Sequence, residues 1–486
     1  MANGKLIQYN SKVFKVIREL EQEVFRDSPL PGSLPLGSRK NRPEKKEDIM
    51  MSHAKRKMKL AKPFTAIAVL ALVLSGSMVA QNGPWDLTEA DKLYTQGQFA
   101  EAALIYAQAA ESDPAAYGAV LGLGRISLLG NKLEDAEKWL KKALALKAQE
   151  KEPRALIGKV LYRRNEYVKA APFFEAIGQT AKAEKLMAFK DKTPFLIESG
   201  PDVSSLAFIQ TDPLPIIKIT VNGQEGRFLI DTGAWELHVL PAFAEKCGLK
   251  PLAQKEIGVY AGGRQAAASG AVADRVLLGE FSLRHVPVVL PQRAGSPLPI
   301  DGIVGTVVLY RFLFTLDYPG GRLVLRRNTP EQSKAVQAGS EKAGAFRMPF
   351  WLAGDHVIFA RGTANGAGPY LFHVDSGMAG GGFSCPEYVV KEAKIELPKQ
   401  GFQGMGGGGP ITVYPFTVDL TLGEARQAGV RGLYGALPPG SEDRFGFRTG
   451  GIISHGFFRP FAVTFDFQTM TMYLQEPDRA NGSEKK

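Results

Sequence analysis

Between residues 86 and 190, apolar side chains recur every three or four positions in a segment rich in Ala, Leu, Lys and Glu. That period predicts amphipathic helices, and no strand-like alternation competes with it. A stretch containing Pro, Ser and Gly, from Thr193 to Ser205, interrupts the pattern. Beyond it the texture changes to short β-branched and aromatic runs broken by glycine, which predicts strands. Ahead of both regions, Phe64 to Leu74 forms one unbroken apolar run of about eleven residues. A membrane-spanning helix needs roughly 20.

The helical region repeats. Ala102, Ala136 and Ala170 are spaced by 34 residues, as are Phe99, Leu133 and Tyr167, and Tyr106, Leu140 and Phe174; Gly124 and Gly158 share the period. Small alanines let two helices approach closely, and the larger residues fill the seam between neighbouring units. Spacing and residue types together resemble tetratricopeptide repeats, with an Ala-rich bundle of accidental periodicity as the alternative. The resemblance implies a concave face that binds a peptide or a protein partner and carries no chemistry.

In the strand-rich region, Phe228-Leu229-Ile230-Asp231-Thr232-Gly233-Ala234 is an apolar strand ending in an acid and a tight turn. A second copy stands at Phe372-His373-Val374-Asp375-Ser376-Gly377. One Asp-Thr-Gly is a common turn. Here, however, the surroundings repeat too: Asp375 follows Asp231, Gly406 follows Gly262 and Gly423 follows Gly279, each by 144 residues. Further on, Gly302-Ile303-Val304-Gly305 through Tyr318 aligns with Gly451-Ile452-Ile453-Ser454 through Phe467 at an offset of 149, a five-residue insertion. The halves read as structural duplicates.

These motifs resemble the retropepsin and pepsin superfamily of aspartic proteases over roughly residues 206 to 476. The resemblance implies that each lobe contributes one aspartate and that the site forms where the lobes meet. Asp231 and Asp375 would be the catalytic pair, supported by Thr232, Gly233, Ser376 and Gly377. Gly262, Gly263, Gly406 and Gly407 would lie in substrate-covering flaps. Two carboxylates about 3 Å apart share one proton, the behaviour by which aspartic proteases are known. The ionised member then takes a proton from water while the protonated member polarises a peptide carbonyl. The implied activity is aspartic endopeptidase, acting on extended polypeptides without cofactor or metal. The second copy departs from the pattern: Ser454 replaces the glycine matching Gly305 and is expected to crowd or displace Asp375. Gly380-Gly381-Gly382 is unusually glycine-rich for a strand after the turn. A noncatalytic peptide- or protein-binding scaffold, or a pair assembled from first lobes of two molecules, therefore stays open.

Composition narrows this picture. At 44% hydrophobic and 22% charged, the 486 residues suit folded globular domains. The net charge of +11 suggests nucleic acid until it is located: residues 1–62 hold fifteen Lys or Arg against seven Asp or Glu, so eight of the eleven surplus charges lie there. A nucleic-acid-binding face is not expected. Cys247 and Cys385 offer no metal or disulfide framework, and the six histidines show no HExxH spacing. Gly122-Leu123-Gly124 and the run from Gly406 to Gly409 lack the strand-loop-helix setting of a nucleotide loop. Asp317 and Asp466 occupy matching positions and suit strand-end or turn roles.

Lys55, Arg56, Lys57, Lys59 and Lys62 precede the apolar run, and small or polar residues through Ala80 follow it. Residues 51–80 thus read as a secretory signal cleaved after Ala80, placing the protein in the periplasm or outside the cell; the alternative is an uncleaved membrane anchor over 64–80. Residues 1–50 read as an extension or a misassigned start, because Met51 or Met58 would open a signal of conventional length. The expected fold is multidomain α plus β. An N-terminal all-α tetratricopeptide-type solenoid (86–190) and a linker (191–205) precede two all-β retropepsin-like barrel lobes related by internal duplication (206–330 and 343–476). A second linker (331–342) joins the lobes, and a polar tail (477–486) follows.

Overall fold

The computed structural model describes residues 85–252, 255–259, 265–292, 298–406, 409–437 and 440–477. The expected signal segment lies outside the described residues. Among them, no helix is long and apolar enough to cross a membrane.

The N-terminal part consists of paired helices: α1 (Thr88–Thr95) with α2 (Phe99–Ser112), α3 (Tyr117–Leu129) with α4 (Leu133–Leu146), and α5 (Lys151–Arg163) with α6 (Tyr167–Glu175). Helix α7 (Thr180–Met187) ends the stack. The 34-residue columns mark contacts. Ala102, Ala136 and Ala170 are fully buried. A Cβ on Gly124 would lie 2.7 Å from the Leu140 side chain, and one on Gly158 would lie 3.1 Å from Phe174, so the same close helix crossing recurs one repeat later. Gly97, Asn131 and Asn165, again 34 apart, turn the chain between paired helices at φ of 75°, 56° and 61°. Glycine and asparagine tolerate that left-handed conformation best.

Each half of the remaining chain closes a six-stranded barrel. In lobe 1, β3 (Ile216–Val221), β4 (Gln224–Asp231), β5 (Leu237–Val239), β7 (Gln265–Leu278), β8 (Phe281–Pro291) and β9 (Gly302–Gly305) run in the order β8-β5-β9-β4-β3-β7, and β7 pairs back onto β8. In lobe 2, β13 (Val357–Ala364), β14 (Ala367–Asp375), β15 (Phe383–Ser384), β17 (Gly409–Leu422), β18 (Ala425–Tyr434) and β19 (Thr449–Ser454) run β17-β18-β15-β19-β14-β13, closed by β13 on β17. One hairpin projects from each: β6 (Lys255–Val259) with β7, and β16 (Phe402–Gly406) with β17. The architecture expected from the sequence, helical repeats followed by two duplicated barrel lobes, is the one present.

A six-stranded antiparallel sheet joins the lobes in the order β2-β11-β10-β20-β21-β12, comprising Val203–Ala207, Arg322–Arg327, Phe312–Asp317, Ala462–Asp466, Thr471–Gln475 and Phe346–Ala353. At its centre Thr315 pairs with Thr464, its own counterpart at offset 149, their hydroxyls 2.8 Å apart. A residue that pairs antiparallel with its duplicate lies on the pseudo-twofold axis. Beside it Phe314 stacks on Phe465 with ring centroids 4.6 Å apart. Full burial of each such ring contributes roughly 1.5–3 kcal/mol.

Two linker expectations change. Residues 191–205 contain β1 (Leu196–Ser199), paired with β8, and the start of β2, because Ser204 and Leu206 alternate inward and seat β2 on β11. Residues 331–342 lie in a helix, α8 (Pro330–Lys342), which starts with proline and is capped by the Thr329 hydroxyl accepting from Gln332 N.

The repeats dock on both lobes along the edge formed by their turns. Gly97 abuts Leu371, its carbonyl accepting from Arg361. Asn131 bonds the Tyr310 hydroxyl, and buried Arg163 donates to the carbonyls of Leu128 and Leu352 at 2.6 and 2.9 Å. Phe99 meets Phe447 edge-on, and Arg448 N donates to Thr95 O at 2.8 Å. Phe447 lies between β18 and β19, the connection that carries the five extra residues of the second half. That connection is therefore a seat for the helices.

Candidate active site

Strand β4 brings Phe228 and Ile230 into the barrel core and delivers Asp231 at its end, parallel to β9 with Asp231 opposite Gly305. Strand β14 delivers Asp375 opposite Ser454 in the same way. In the first turn the backbone N–H groups of Gly233 and Ala234 donate to Asp231 Oδ1 at 2.8 and 3.1 Å; in the second, Gly377 N donates to Asp375 Oδ1 at 2.7 Å.

The turns interlock across the axis. Thr232 Oγ1 donates to Val374 O (2.8 Å) and accepts from Ser376 N (3.0 Å), while Ser376 Oγ donates to Ile230 O (2.9 Å) and accepts from Thr232 N (3.0 Å). Both hydroxyl residues are buried, so each bond replaces one that water would have made. The glycines serve proximity. A Cβ on Gly233 would lie 2.4 Å from Asp375 Cγ, and one on Gly377 would lie 2.2 Å from Asp231 Cγ. Each carboxyl thus rests against the opposite turn, where only glycine leaves room.

Asp231 and Asp375 face each other closely enough for each carboxyl to perturb the other. Burial, then the neighbouring carboxylate, pushes Asp231 up to about 8, and burial also raises Asp375. The pair thus keeps one proton into the neutral range, a property of the pair rather than of either member. The field of both carboxyls reaches Tyr318, whose buried phenol is held protonated chiefly by desolvation.

Thr232, Gly233, Ser376 and Gly377 form the two turns that follow the aspartates. Gly406 closes strand β16; Gly262, Gly263 and Gly407 lie outside the described residues. Ser454 does not displace Asp375. Its hydroxyl donates to the carbonyls of Asp375 and Met378, because the loop after the second turn runs differently. Ser454 N bonds Gly382 O (2.8 Å) where Gly305 N bonds Glu236 O (3.1 Å), so matching positions are offset by 146 here and the second loop is two residues longer. Gly380-Gly381-Gly382 therefore forms the loop and not a strand, which starts at Phe383. In lobe 1 a Cβ on residue 305 would lie 2.5 Å from Glu236 O, so only that copy requires glycine.

Asp317 and Asp466 hold turns: Asp317 accepts from Gly320 N, and Asp466 from Gln468 N and the Thr469 hydroxyl. Both cysteines are buried and free. A cavity of about 630 Å³ lies against the interlobe sheet, lined among others by Thr315, Arg322, Arg326 and Thr464, and neither catalytic-type aspartate lines it. Two features near the site were not anticipated. Thr306 Oγ1 donates to Thr232 O (2.8 Å), and buried Glu236, five residues past Asp231, bonds to the helical repeats. A lone acid in the apolar run Trp235-Glu236-Leu237 was the available signal.

Residues 217–308 match the family model described as aspartyl protease, and residues 87–153 match the tetratricopeptide repeat model. Both resemblances read from the sequence are thereby shown, and the chain carries an aspartic protease-type domain. Among solved structures, the chain is similar to an aspartic proteinase from Irpex lacteus, with 12% identity, a TM-score of 0.41, and coverage of 58% of this chain and 100% of that one. It is also similar to a retropepsin-like aspartic protease from Rickettsia conorii, with 21% identity, a TM-score of 0.20, and coverage of 26% and 89%. No curated protein matches in sequence.

Proposed function

We propose that this protein is an exported aspartic endopeptidase in which Asp231 and Asp375 activate a water molecule against the carbonyl carbon of a peptide bond. The observation that carries the reading is the pair of raised carboxyls brought against each other's turns, held by reciprocal Thr232 and Ser376 bonds and contributed by one chain. The ionised member takes a proton from water as its oxygen attacks the carbonyl carbon, and the protonated member donates to the carbonyl oxygen. In the second half of the reaction the first carboxyl gives its proton to the amide nitrogen, the second carboxylate takes a proton back from a hydroxyl of the tetrahedral intermediate, and the C–N bond breaks as the carbonyl re-forms. The substrate is an extended polypeptide, whose backbone the hairpins β6–β7 and β16–β17 would pair with as added strands. The helical repeats supply a surface for a substrate or partner protein. Export rests on the basic flank and apolar run before residue 80, and N-terminal sequencing of the processed protein tests it.

The test of the chemistry is cleavage of a denatured polypeptide between pH 3 and 7 by the processed protein, with a pepstatin-type inhibitor and the variants Asp231→Asn and Asp375→Asn. Cleavage that the inhibitor blocks and both variants abolish is expected. Full activity in Asp375→Asn would overturn the intrachain pair, and absence of cleavage throughout this range would leave a peptide-binding scaffold.

A further inference from the structure

We propose that Glu236 is a positioning residue through which the helical repeats hold the Asp231 turn, so that the repeat domain sets part of the catalytic geometry of lobe 1. The inference rests on the reading of Asp231 and Asp375 as the reacting pair.

Glu236 is buried, and its two carboxylate oxygens are engaged by residues that lobe 1 does not supply. Tyr162 on α5 donates to Oε1 at 2.7 Å, and Lys185 on α7 donates to Oε2 at 2.9 Å; both are buried. A buried carboxylate without such partners is strongly unfavourable, so this side chain keeps its place only while the helices are docked. Lys185 and the Tyr162 hydroxyl keep Glu236 ionised despite burial, and Lys182 and His238 are further titratable groups in its field.

The backbone behind that side chain leads to the aspartate. Gly305 N donates to Glu236 O (3.1 Å), Val307 N to Trp235 O (2.6 Å) and Thr306 N to Ala234 O (2.9 Å). Gly305 lies opposite Asp231 in the β4–β9 register, and Ala234 N itself donates to Asp231 Oδ1. A shift of Glu236 therefore moves the three-rung ladder that aims the Ala234 N–H at the carboxylate.

The duplicated half isolates the feature. Gly382 takes the backbone role of Glu236 in lobe 2, accepting from Ser454 N, and has no side chain to anchor. The fold itself therefore does not demand the anchor; it is specific to the lobe whose turn the repeats reach.

The test uses the full chain carrying Glu236→Gln, Tyr162→Phe, Lys185→Met or Lys185→Arg, with kcat, KM and the pH profile measured beside helix content. Glu236→Gln is expected to lower kcat 10- to 100-fold with KM within twofold. Weakening the Ala234 bond, which favours ionised Asp231, should also move the alkaline limb of the profile upward by about half a unit. Tyr162→Phe should shift both in the same direction by less, Lys185→Met should follow Glu236→Gln, and Lys185→Arg should restore most activity. The Tyr162→Phe/Glu236→Gln double variant should be no slower than Glu236→Gln. A folded Glu236→Gln protein with wild-type kcat and pH profile overturns the proposal. Amide exchange gives a readout independent of turnover: Glu236→Gln should accelerate exchange in residues 232–237 and leave 376–382 unchanged. Unchanged exchange there refutes the positioning role even if the wild-type protein cleaves nothing, an outcome that would instead count against the catalytic reading.

Discussion

Thr232→Val is the sharpest perturbation of the interlock, because it conserves shape and removes one hydroxyl. The Thr232 Oγ1 serves two buried backbone groups of the other lobe, the Val374 carbonyl and the Ser376 N–H. Valine leaves both without partners where water has no access, at about 1–3 kcal/mol each. The extra methyl returns about 1 kcal/mol of burial, so the expected net loss is about 1–5 kcal/mol, centred near about 3. Thr232→Ser keeps both bonds and gives up one methyl, about 1 kcal/mol. Ser376→Ala should resemble Thr232→Val, since it strands Thr232 N–H and the Ile230 carbonyl. The assay is urea unfolding of the full chain followed by far-ultraviolet ellipticity, paired with cleavage rates at fixed pH. A carboxyl pair displaced by about 1 Å should lose about 100-fold in kcat. The argument fails if Thr232→Val and Thr232→Ser unfold within about 0.5 kcal/mol of each other. It fails equally if Thr232→Val destabilises the fold but leaves kcat unchanged, because the interlock would then not orient the acids.

A raised carboxyl fixes the sign of the pH dependence. Between about pH 4 and 8 the unfolded chain releases a proton from Asp231 that the folded pair retains, so the stability this pair contributes is fully present below pH 4 and is lost as pH rises toward 8. Asp231→Asn, neutral throughout, should flatten that fall by about a few kcal/mol; urea midpoints at successive pH values that stay parallel in the two proteins would contradict the coupling. The glycine beneath each turn should also behave asymmetrically. Gly305→Ala places a Cβ 2.5 Å from Glu236 O and should cost about 1–3 kcal/mol and at least tenfold in activity. Ser454→Gly loses hydroxyl bonds to Asp375 and Met378 and should cost about 1 kcal/mol with activity retained; the reverse ranking in unfolding and cleavage assays would refute this account.

What the sequence made legible was what repeats. Three columns at 34 residues located the helix crossings because each crossing uses the same small-against-large pair, and the 144-residue offset located both turns because an acid, a hydroxyl and a glycine are each needed there. Contacts used only once stayed hidden. Arg163 and Asn131 look like ordinary polar residues at helix ends, and only the folded chain shows them reaching Leu352 and Tyr310. Glu236 was visible as a misplaced charge, but its partners lie 74 and 51 positions earlier and nothing local announces them. Strand β2 escaped notice because its strict alternation places polar Ser204 inward and apolar Val203 outward, so the apolar residues do not mark its buried face. The crowding expected at Ser454 failed because the offset changes from 144 to 146 within one loop, which moves backbone away from the position that Gly305 must leave clear.

The pattern of agreement and divergence between the halves follows from what each position touches. Residues that meet their counterparts across the axis are nearly unchanged: Asp231 and Asp375, Thr232 and Ser376, Gly233 and Gly377, Thr315 and Thr464. A bulkier residue at either glycine would strike the opposite carboxyl, so neither lobe can vary there without disturbing the other. Positions facing away from the axis carry no such constraint, and there the lobes differ: Glu236 against Gly382, Gly305 against Ser454, and the longer β18–β19 connection. Two of those three differences meet the helices, Glu236 at Tyr162 and Lys185, and the connection at Phe99 and Thr95. A pair of identical chains could not confine such changes to one lobe, because each substitution would appear in both. Fusion into one chain permits it, and the asymmetry lets a single helical domain grip the turn of one lobe and the outer connection of the other while the shared surface between them stays symmetric.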